Sequence, residues 1–272
     1  MTSAIPPKAP AMKQQHGTYQ DADLRFSYIA LTDSGRVRKK NEDNFLVNTA
    51  TNIFAVADGV GSLVGSDAAS IMVLDIINKE YQKSGKSWPF FKGSFQDKHK
   101  NHISSILKKA NSSIYNCRLN YGKNMATTIV SSFFLGMKCI VAHAGDSRFY
   151  KIHNDYIEQI TIDHSLKNEI LRKIDIESDI GKINIPQNII TRALGASETV
   201  KCEFNTIDLE PFNFFMLCTD GLTSMLDANT ISSIVCDQAI DLYKRGNKLI
   251  KCANEAGGKD NITVLLLQVS KI

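Results

Sequence analysis

Short runs rich in Val, Ile, Phe and Tyr recur from residue 26 to the end of the chain, and most of them end in Gly, Asp or Asn. This pattern is typical of β-strands. Most neighbouring runs are too close together for a crossover helix, so the sequence predicts antiparallel pairing. The runs that carry this prediction cover residues 26–31, 52–58, 127–135, 138–145, 148–152, 212–218 and 261–269.

Helical periodicity interrupts these strands. Residues 66–83 and 102–120 each place apolar side chains at helical spacing, and residues 229–255 have the pattern of two helices with a break near Cys236. Helices that come in pairs between groups of strands predict an α+β fold, in which helices cover the outer faces of two packed antiparallel sheets. Residues 84–101 and 167–188 are predicted to be loops.

Composition excludes several classes of protein. The formal net charge of +4 is too small a surplus to indicate a nucleic-acid partner. The six cysteines form no C-x-x-C pair, which favours reduced thiols over disulfides. Residues 1–25 are rich in proline and polar side chains and predict a flexible lead without an apolar signal core. Because no run approaches 18 apolar residues, we expect a cytoplasmic protein without a membrane span.

Carboxylates stand at the tips of the β-type runs, several of them beside glycine. One Asp at such a tip is an ordinary turn residue, but repetition at several strand ends is harder to explain in that way. Carboxylates that converged would repel one another unless cations lay among them, and hard oxygen ligands suit Mg²⁺ or Mn²⁺. The spacing alone leaves their convergence open. The residues are Glu42, Asp43, Asp58, Asp146, Asp220 and Asp260.

These acids lie within a longer series of motifs. In order, they are GRVRKKNED at 35–43, ADGVG at 57–61, MATT at 125–128, AGDSR at 144–148, DHS at 163–165, ITRALG at 190–195, CTDGL at 218–222 and KDNIT at 259–263. The series resembles that of the metal-dependent Ser/Thr protein phosphatases of the protein phosphatase 2C (PPM) type, particularly the bacterial members. Each motif is weak by itself, but all of them occur in the family's order.

The resemblance implies a fold, a domain and a reaction. The fold would be two antiparallel sheets face to face with helix pairs outside, in one domain over residues 26–272 with a variable flap at about 167–188. The reaction would be hydrolysis of phosphoserine or phosphothreonine in proteins by a metal-activated water, with no phosphoenzyme.

Two rival phosphatase chemistries lack their motifs. A cysteine-nucleophile phosphatase is not indicated, because no Cys is followed six residues later by Arg. The other binuclear-metal Ser/Thr phosphatases are not indicated, because the sequence GDS at 145–147 lacks a following His.

The resemblance also implies roles for the acids, with two Mn²⁺ or Mg²⁺ ions and a weaker third. Asp58 would bridge two ions, the Gly59 carbonyl would complete the second site, and Glu42 would act at the second ion directly or through water. Asp220 and Asp260 would hold the first ion, and Asp146 would support the third together with Asp220. Asp43 and Asn261 would assist the ligands from beside them.

Arg38 matches the arginine that binds the substrate phosphate in this family. Its planar guanidinium suits two phosphate oxygens better than a lysine would. Arg36 is the competing candidate, and we prefer Arg38 because it lies four residues before Glu42, as the motif requires. His143 and His164 lie near motif acids, and we favour a structural role for both over a proton shuttle.

Some positions depart from the family pattern. Val60 stands where eukaryotic relatives often have a histidine, so the group that protonates the leaving oxygen is unassigned. Ala126 replaces the usual Gly of its motif, and Ser62 replaces a second Gly. The extra methyl group of Ala126 removes no ligand.

Alternative functions remain open at this stage. A catalytically weak member could serve as a phosphoprotein-binding or scaffold module, although such a module need not keep all the acids. A third reading is a phosphatase for a small phosphorylated metabolite. For the enzyme we expect a phosphoprotein substrate and a cognate Ser/Thr kinase as partners. We favour a solvated loop over a docking surface for the basic, aromatic segment 84–101, and the oligomeric state is not predicted.

Overall fold

A computed structural model describes residues 12–61, 66–84, 94–121, 124–154, 156–172, 186, 189–210 and 213–272. The strands in these ranges are β1 (Lys13–Asp21), β2 (Leu24–Asp33), β3 (Asn44–Asn48), β4 (Ile53–Ala57), β5 (Gly59–Val60), β6 (Ala126–Thr127), β7 (Ile129–Leu135), β8 (Lys138–Ala144), β9 (Arg148–His153), β10 (Tyr156–Gln159), β11 (Glu203–Asp208), β12 (Phe214–Cys218) and β13 (Ile262–Lys271). The helices are α1 (Ser66–Ser84), α2 (Phe95–Tyr121), α3 (Leu166–Leu171), α4 (Asp220–Thr223), α5 (Ala228–Cys236) and α6 (Leu242–Glu255).

The strands form two main antiparallel sheets. The first has six strands in the order β1-β2-β13-β12-β9-β10, and the second has five in the order β11-β8-β7-β4-β3. The short strands β5 and β6 pair separately. Antiparallel pairing follows from the short connections, because a hairpin joins neighbouring strands with few residues whereas a parallel pair needs a long crossover.

An aromatic core joins the two sheets. Phe134 of the second sheet lies with its ring centroid 5.2 Å from Phe26 and 5.9 Å from Phe215, both on the first sheet, and its own neighbour Phe54 lies 5.7 Å away. Edge-on contacts of this kind stabilise aromatic clusters beyond the area that they bury. The inner face of the sandwich is therefore closed by direct contact between the sheets.

Helices cover both outer faces, as the apolar runs require. Along β13, Leu265 and Leu267 face the other sheet while Val264 and Leu266 belong to the cluster under α5 and α6. Helices α1 and α2 cover the second sheet through a separate cluster. Strands buried on both faces lose the usual alternation of polar and apolar residues. The predicted α+β sandwich with helix pairs outside is confirmed.

The structure corrects two predictions about irregular segments. Residues 13–25 are not a flexible lead, because β1 pairs with β2 along its whole length. Because β1 is an edge strand that is mostly exposed and polar, it contains no apolar run that would have predicted it. Residues 95–101 are the beginning of α2 rather than a loop. Residues 1–11, 85–93 and Ser62 lie outside the described residues.

The flap expected at about 167–188 is described only in part. Its first residues form α3, which ends at Leu171, and Arg172 caps that helix. Residues 173–185, 187 and 188 lie outside the described residues. The two helices predicted over 229–255 are present as α5 and α6, and the break falls at Asp237.

Candidate active site

The antiparallel topology brings the motif acids to one edge of the sandwich. Asp58 follows β4 and Asp220 follows β12, while Asp43 precedes β3 and Asp260 precedes β13. The end of one strand pairs with the start of its neighbour: Ala57 is opposite Asn44 in one sheet, and Cys218 is opposite Val264 in the other. Acids that are far apart in sequence therefore lie close together at one edge of the sandwich.

Asp43 is the most firmly held of these acids. Its Oδ2 accepts hydrogen bonds from the hydroxyls of Thr219 at 2.8 Å and Thr263 at 2.7 Å. The Thr263 hydroxyl also lies 2.7 Å from that of Thr32, to which Asn41 Nδ2 donates at 2.8 Å. A hydroxyl chain thus orients one oxygen of Asp43 and ties the loop before β3 to the first sheet.

The other oxygen of Asp43 is unused. Oδ1 is buried and has no hydrogen-bond partner within the described part of the chain. Burial raises the pKa of Asp43 to about 7, against the lowering effect of the Thr263 and Thr219 hydroxyls. A buried carboxylate oxygen without a donor is costly, and a bound cation is one way to compensate it.

Asp58 lies at the electrostatic centre of the cluster. Burial raises its pKa well above the usual range, and four neighbouring carboxylates add to the increase, in the order Asp43, Asp220, Asp146 and Asp260. Carboxylates that crowd together cannot all ionise unless positive charge is supplied. The cluster therefore has the charge and the oxygen chemistry of a divalent-cation site.

Two further acids have pKa values that are raised for the same reasons. Burial, followed by the charge of Asp220, raises the pKa of Asp146 to about 7, and Asp146 Oδ1 is buried without a hydrogen-bond partner among the described residues. Burial, followed by the charge of Asp260, raises the pKa of Asp220. These two carboxyls extend the cluster from Asp43 and Asp58 toward the turn before β9.

The backbone around Asp58 is fixed by the motif at 125–128. Both the N–H of Thr128 and the hydroxyl of Thr127 donate to the Asp58 carbonyl at 2.8 Å. The following residue, Gly59, approaches α1 so closely that an added Cβ would lie 2.5 Å from the Ser66 carbonyl oxygen. Only glycine fits there, which explains the Asp-Gly pair by packing.

Glu42 and Asn261 form a brace next to the cluster. The Glu42 carboxylate accepts a hydrogen bond from the Ser66 hydroxyl, and its backbone N–H donates to Asn261 Oδ1 at 2.9 Å. Asn261 Nδ2 donates to the carbonyls of Ser34 at 3.0 Å and Lys40 at 2.8 Å. Asn261 therefore holds the loop that carries Arg38 and Glu42.

The two candidate arginines differ in what they reach. Arg38 Nη2 donates to Asp260 Oδ2 at 2.7 Å, and its side chain is 53% exposed. This hydrogen bond is the main cause of the raised pKa of Arg38. Arg36 instead donates its backbone N–H to the Gly258 carbonyl at 2.7 Å. The Arg38 guanidinium therefore lies beside an acid of the cluster and is open to solvent.

The hydroxyls that hold Asp43 were not predicted from the sequence. Thr219 and Thr263 each lie next to or near a motif acid, in CTDGL and KDNIT, which was the available signal. The ion pair of Arg148 was not predicted either; its Nη2 donates to Asp163 Oδ2 at 2.7 Å, and its Nε contacts both oxygens. The two histidines of the sequence analysis, His143 and His164, are both buried.

A family model described as protein phosphatase 2C matches residues 36–263. This chain belongs to the protein phosphatase 2C family. It is 31% identical to protein phosphatase PhpP of Streptococcus pneumoniae over 246 residues, which cover 89% of this chain and 96% of PhpP. It is 32% identical to the serine/threonine phosphatase Stp of Listeria innocua over 248 residues, or 87% of this chain and 93% of Stp.

Solved structures of phosphatases share the fold. The serine/threonine phosphatase of S. agalactiae has 29% identity and a TM-score of 0.75, over 89% of this chain and 99% of that one. The catalytic domain of PstP in complex with two manganese ions has 26% identity and a TM-score of 0.75, over 91% of this chain and all of that one. The predicted metal-dependent protein phosphatase is thereby confirmed.

None of the helices in the described ranges is long and apolar enough to cross a bilayer.

Proposed function

We propose that this protein hydrolyses phosphoserine and phosphothreonine in proteins at a binuclear Mg²⁺ or Mn²⁺ centre built on the acid cluster. The observation that carries the proposal is the meeting of buried carboxylates at one sheet edge, with the pKa values of Asp43, Asp58, Asp146 and Asp220 all raised. Asp43 Oδ1 and Asp146 Oδ1 are buried and have no donor among the residues that the structure describes, so a cation fits as their partner.

The ligand roles are those that the family resemblance implies. Asp58, whose pKa is raised by the charges of Asp43, Asp220, Asp146 and Asp260, would contact two ions. Asp220 and Asp260 would hold the first ion, and the Gly59 carbonyl and Glu42 would hold the second, with Asp43 and Asn261 as supports. Asp146 would contribute to a weaker third site with Asp220. When bound, such ions stabilise charge on phosphoryl oxygens as Lewis acids and increase the acidity of water.

Arg38 is proposed to bind the substrate phosphate. Its guanidinium carries five N–H donors in a planar fork, and the bond to Asp260 uses one of them. The exposed remainder can donate to two phosphate oxygens of a protein substrate. This places the phosphorus next to the cluster and stabilises the charge of the equatorial oxygens.

The test is hydrolysis of a phosphothreonine peptide by the purified chain, extensively dialysed and then given Mn²⁺. We expect turnover only with added metal and its loss on addition of excess chelator. Undiminished turnover in chelator contradicts the metal mechanism. Metal binding and phosphopeptide binding without turnover would favour the scaffold reading, and turnover restricted to small phosphate esters would favour a metabolite substrate.

The partner and the location of the protein are finer proposals. We propose that it opposes a Ser/Thr kinase, because a phosphoprotein substrate requires one. Purified chain should then remove phosphate from that kinase or from its targets, and failure on the whole phosphoproteome of its source would contradict this. The cytoplasmic location stays a prediction of the sequence, and cell fractionation with detection of the chain tests it.

A further inference from the structure

The turn that carries Asp146 has an unusual backbone. Gly145 has a φ of +117°, and a Cβ added there would lie 2.6 Å from the Thr128 side chain. On the other side of Asp146, the Ser147 hydroxyl lies 2.7 Å from the Thr128 hydroxyl. Oδ1 of Asp146 has no protein partner among the described residues. The direction of its carboxylate therefore depends on how the backbone of the turn is held.

His164 holds this turn at two points. Its backbone N–H donates to the Gly145 carbonyl at 2.9 Å, and its ring Nδ1 accepts from the Gly145 N–H at 3.0 Å. A single residue thus satisfies both backbone groups of Gly145. Buried backbone groups require such partners, so loss of the ring would leave the Gly145 N–H unpaired in a dry environment.

The ring of His164 is kept neutral and in one tautomer. Burial, followed by His143 and Arg192, lowers the pKa of His164 to about 4. Because a backbone N–H can only donate, Nδ1 is the acceptor and the proton lies on Nε2. His143 stacks on this ring with centroids 4.5 Å apart and planes 5° apart, and its own Nε2 donates to the Ile162 carbonyl at 3.1 Å.

Glu203 receives the other end of the ring. His164 Nε2 lies 3.0 Å from Arg192 Nη1 and 3.3 Å from Glu203 Oε1, and the same Glu203 oxygen accepts from Arg192 at 2.9 Å and from Arg172 at 3.3 Å. Because Nδ1 accepts from Gly145, Nε2 carries the ring proton and donates to Glu203, while Arg192 Nη1 lies beside it and donates to the same carboxylate. This carboxylate fixes the proton on Nε2 and so leaves Nδ1 free to accept. Arg172 caps α3, so the support reaches the beginning of the segment expected to form the flap.

Two other roles for the histidines fit less well. One donor atom of His143, His164 and Glu203 each lies within 4.8 Å of the others, as in a metal site. However, a metal on Nε2 of His164 would require a proton on Nδ1, which faces the Gly145 N–H, and the Glu203 carboxylate already serves two arginines. A proton shuttle would need an exchangeable proton toward the acid cluster, whereas that of His164 faces Glu203.

We infer that His164 is a positioning residue for Asp146: by accepting the Gly145 N–H it fixes the turn that directs the Asp146 carboxylate into the acid cluster. The inference rests on the proposed function, since it gives Asp146 a role at the metal centre. It assigns a mechanical purpose to the DHS motif at 163–165 that is distinct from proton transfer.

A pair of matched variants separates the two ends of the ring. Asn at position 164 places Oδ1 near the position of Nδ1 and keeps an acceptor for Gly145, whereas Gln reaches toward Glu203 and does not. We expect His164→Gln to weaken the weakest class of Mn²⁺ sites, measured by calorimetry on metal-free protein, by about tenfold. His164→Asn should retain most of that affinity. The opposite order overturns the inference.

A double-mutant cycle with Asp146→Ala supplies the second readout. If His164 acts through Asp146, His164→Gln should lower kcat in the wild-type background and have little further effect once Asp146 is alanine. Equal losses in both backgrounds, with Mn²⁺ binding unchanged, show a merely structural role and overturn the inference. If the wild-type chain binds Mn²⁺ as expected but never turns over phosphopeptide, the proposed function fails while the calorimetric comparison still decides this one.

Discussion

The two ends of the acid cluster are held by different means. At one end Asp43 is fixed by side chains, through two threonine hydroxyls on a single carboxylate oxygen. At the other end the turn around Asp146 is fixed through its backbone by His164. In both carboxylates Oδ1 has no hydrogen-bond partner among the described residues, so each leaves an oxygen for a cation. The difference lies in the support: side chains orient Asp43 before any cation binds, whereas Asp146 is positioned through its turn, which suits a weaker site.

Asp58 lies between these ends, so its loss should break both. Asp58→Asn removes the central charge, and we expect kcat to fall by more than about 100-fold, since such sites supply several kcal/mol of transition-state stabilisation. Asp75→Asn, an exposed change on α1 with the same loss of charge, serves as the control. Phosphopeptide turnover and circular dichroism measure the two effects. Normal activity in Asp58→Asn would exclude it as the bridging ligand.

The charge crowding at both ends should appear in the pH dependence of stability. The folded-state pKa values of Asp43 and Asp146 are about 7, above the ordinary 3.8. A group whose pKa is raised by folding stabilises the fold below its unfolded pKa, and this contribution is lost as the pH rises through the folded value. Metal-free protein should therefore lose stability between about pH 4 and pH 7, on the order of a few kcal/mol.

Urea unfolding in chelator and in Mn²⁺ measures this loss. Mn²⁺ should restore stability at the upper end of the range, because it compensates the ionised carboxylates. Asp43→Asn and Asp146→Asn each remove one of the titrating groups, and comparison of their slopes tells which end contributes more. A flat profile in chelator for the wild-type chain would mean that the acids are not crowded.

A change at Arg38 tests the end of the cluster that contains Asp43. Arg38 bonds to Asp260, which lies three residues before Thr263, and the Thr263 hydroxyl holds Asp43. We expect Arg38→Ala to lower kcat/KM by roughly 10- to 1000-fold through loss of phosphate contacts. Arg36→Ala is the matched control and should change kcat/KM little, since Arg36 meets Gly258 through its backbone. The reverse ranking of the two variants would transfer the phosphate-binding role to Arg36.

The hydroxyl support of Asp43 can be removed without touching an acid. Thr219→Val deletes the donor to Asp43 and also the acceptor of the Thr263 N–H, and we expect kcat to fall by about 10- to 100-fold, as for other groups that orient metal ligands. Thr219→Ser keeps the hydroxyl and should remain near wild type. An equal loss in both variants would show that the hydroxyl does not account for the effect, because serine keeps it, and would attribute the losses to altered packing.

The elements that the sequence predicted are those with apolar runs of their own. Strands such as β12 and β13 contain continuous apolar runs. Strand β1 is stabilised instead by backbone pairing and by a few residues such as Tyr19, whose ring stacks on Phe26 at 4.9 Å. The beginning of α2 was missed for a similar reason, since its first residues lack an apolar stripe. Local pattern carries little signal where a neighbouring element supplies the stability.

The candidate site divides in the same way. The positions of the acids at strand ends are local and were predictable, together with the competition between Arg36 and Arg38. The Thr219 and Thr263 hydroxyls reach Asp43 from 176 and 220 residues away, and His164 reaches Gly145 from 19 residues away. Such contacts depend on sheet order and register, which a single sequence does not specify. The contacts that support the acids therefore needed the structure, whereas the acids themselves stand at strand ends that the sequence shows, and their roles as ligands stay a prediction.

Asp146 should show the smallest effect and the clearest contrast with Asp43. If it serves a weak third ion, Asp146→Ala keeps the other carboxylates and the clamped Gly145 turn, so the melting temperature in Mn²⁺ should remain near that of the wild type. The turnover number should fall by about tenfold while KM changes little, which is the mark of an interaction made mainly in the transition state. The absence of a histidine at position 60 adds a motive, because another group must help protonate the leaving oxygen. The competing account is that Asp146 only ends the turn before β9, and then the variant would melt earlier while each folded molecule kept its turnover. Measurement of kcat against Mn²⁺ concentration beside a melting curve separates the two, and a wild-type kcat at saturating Mn²⁺ would remove Asp146 from the catalytic machinery.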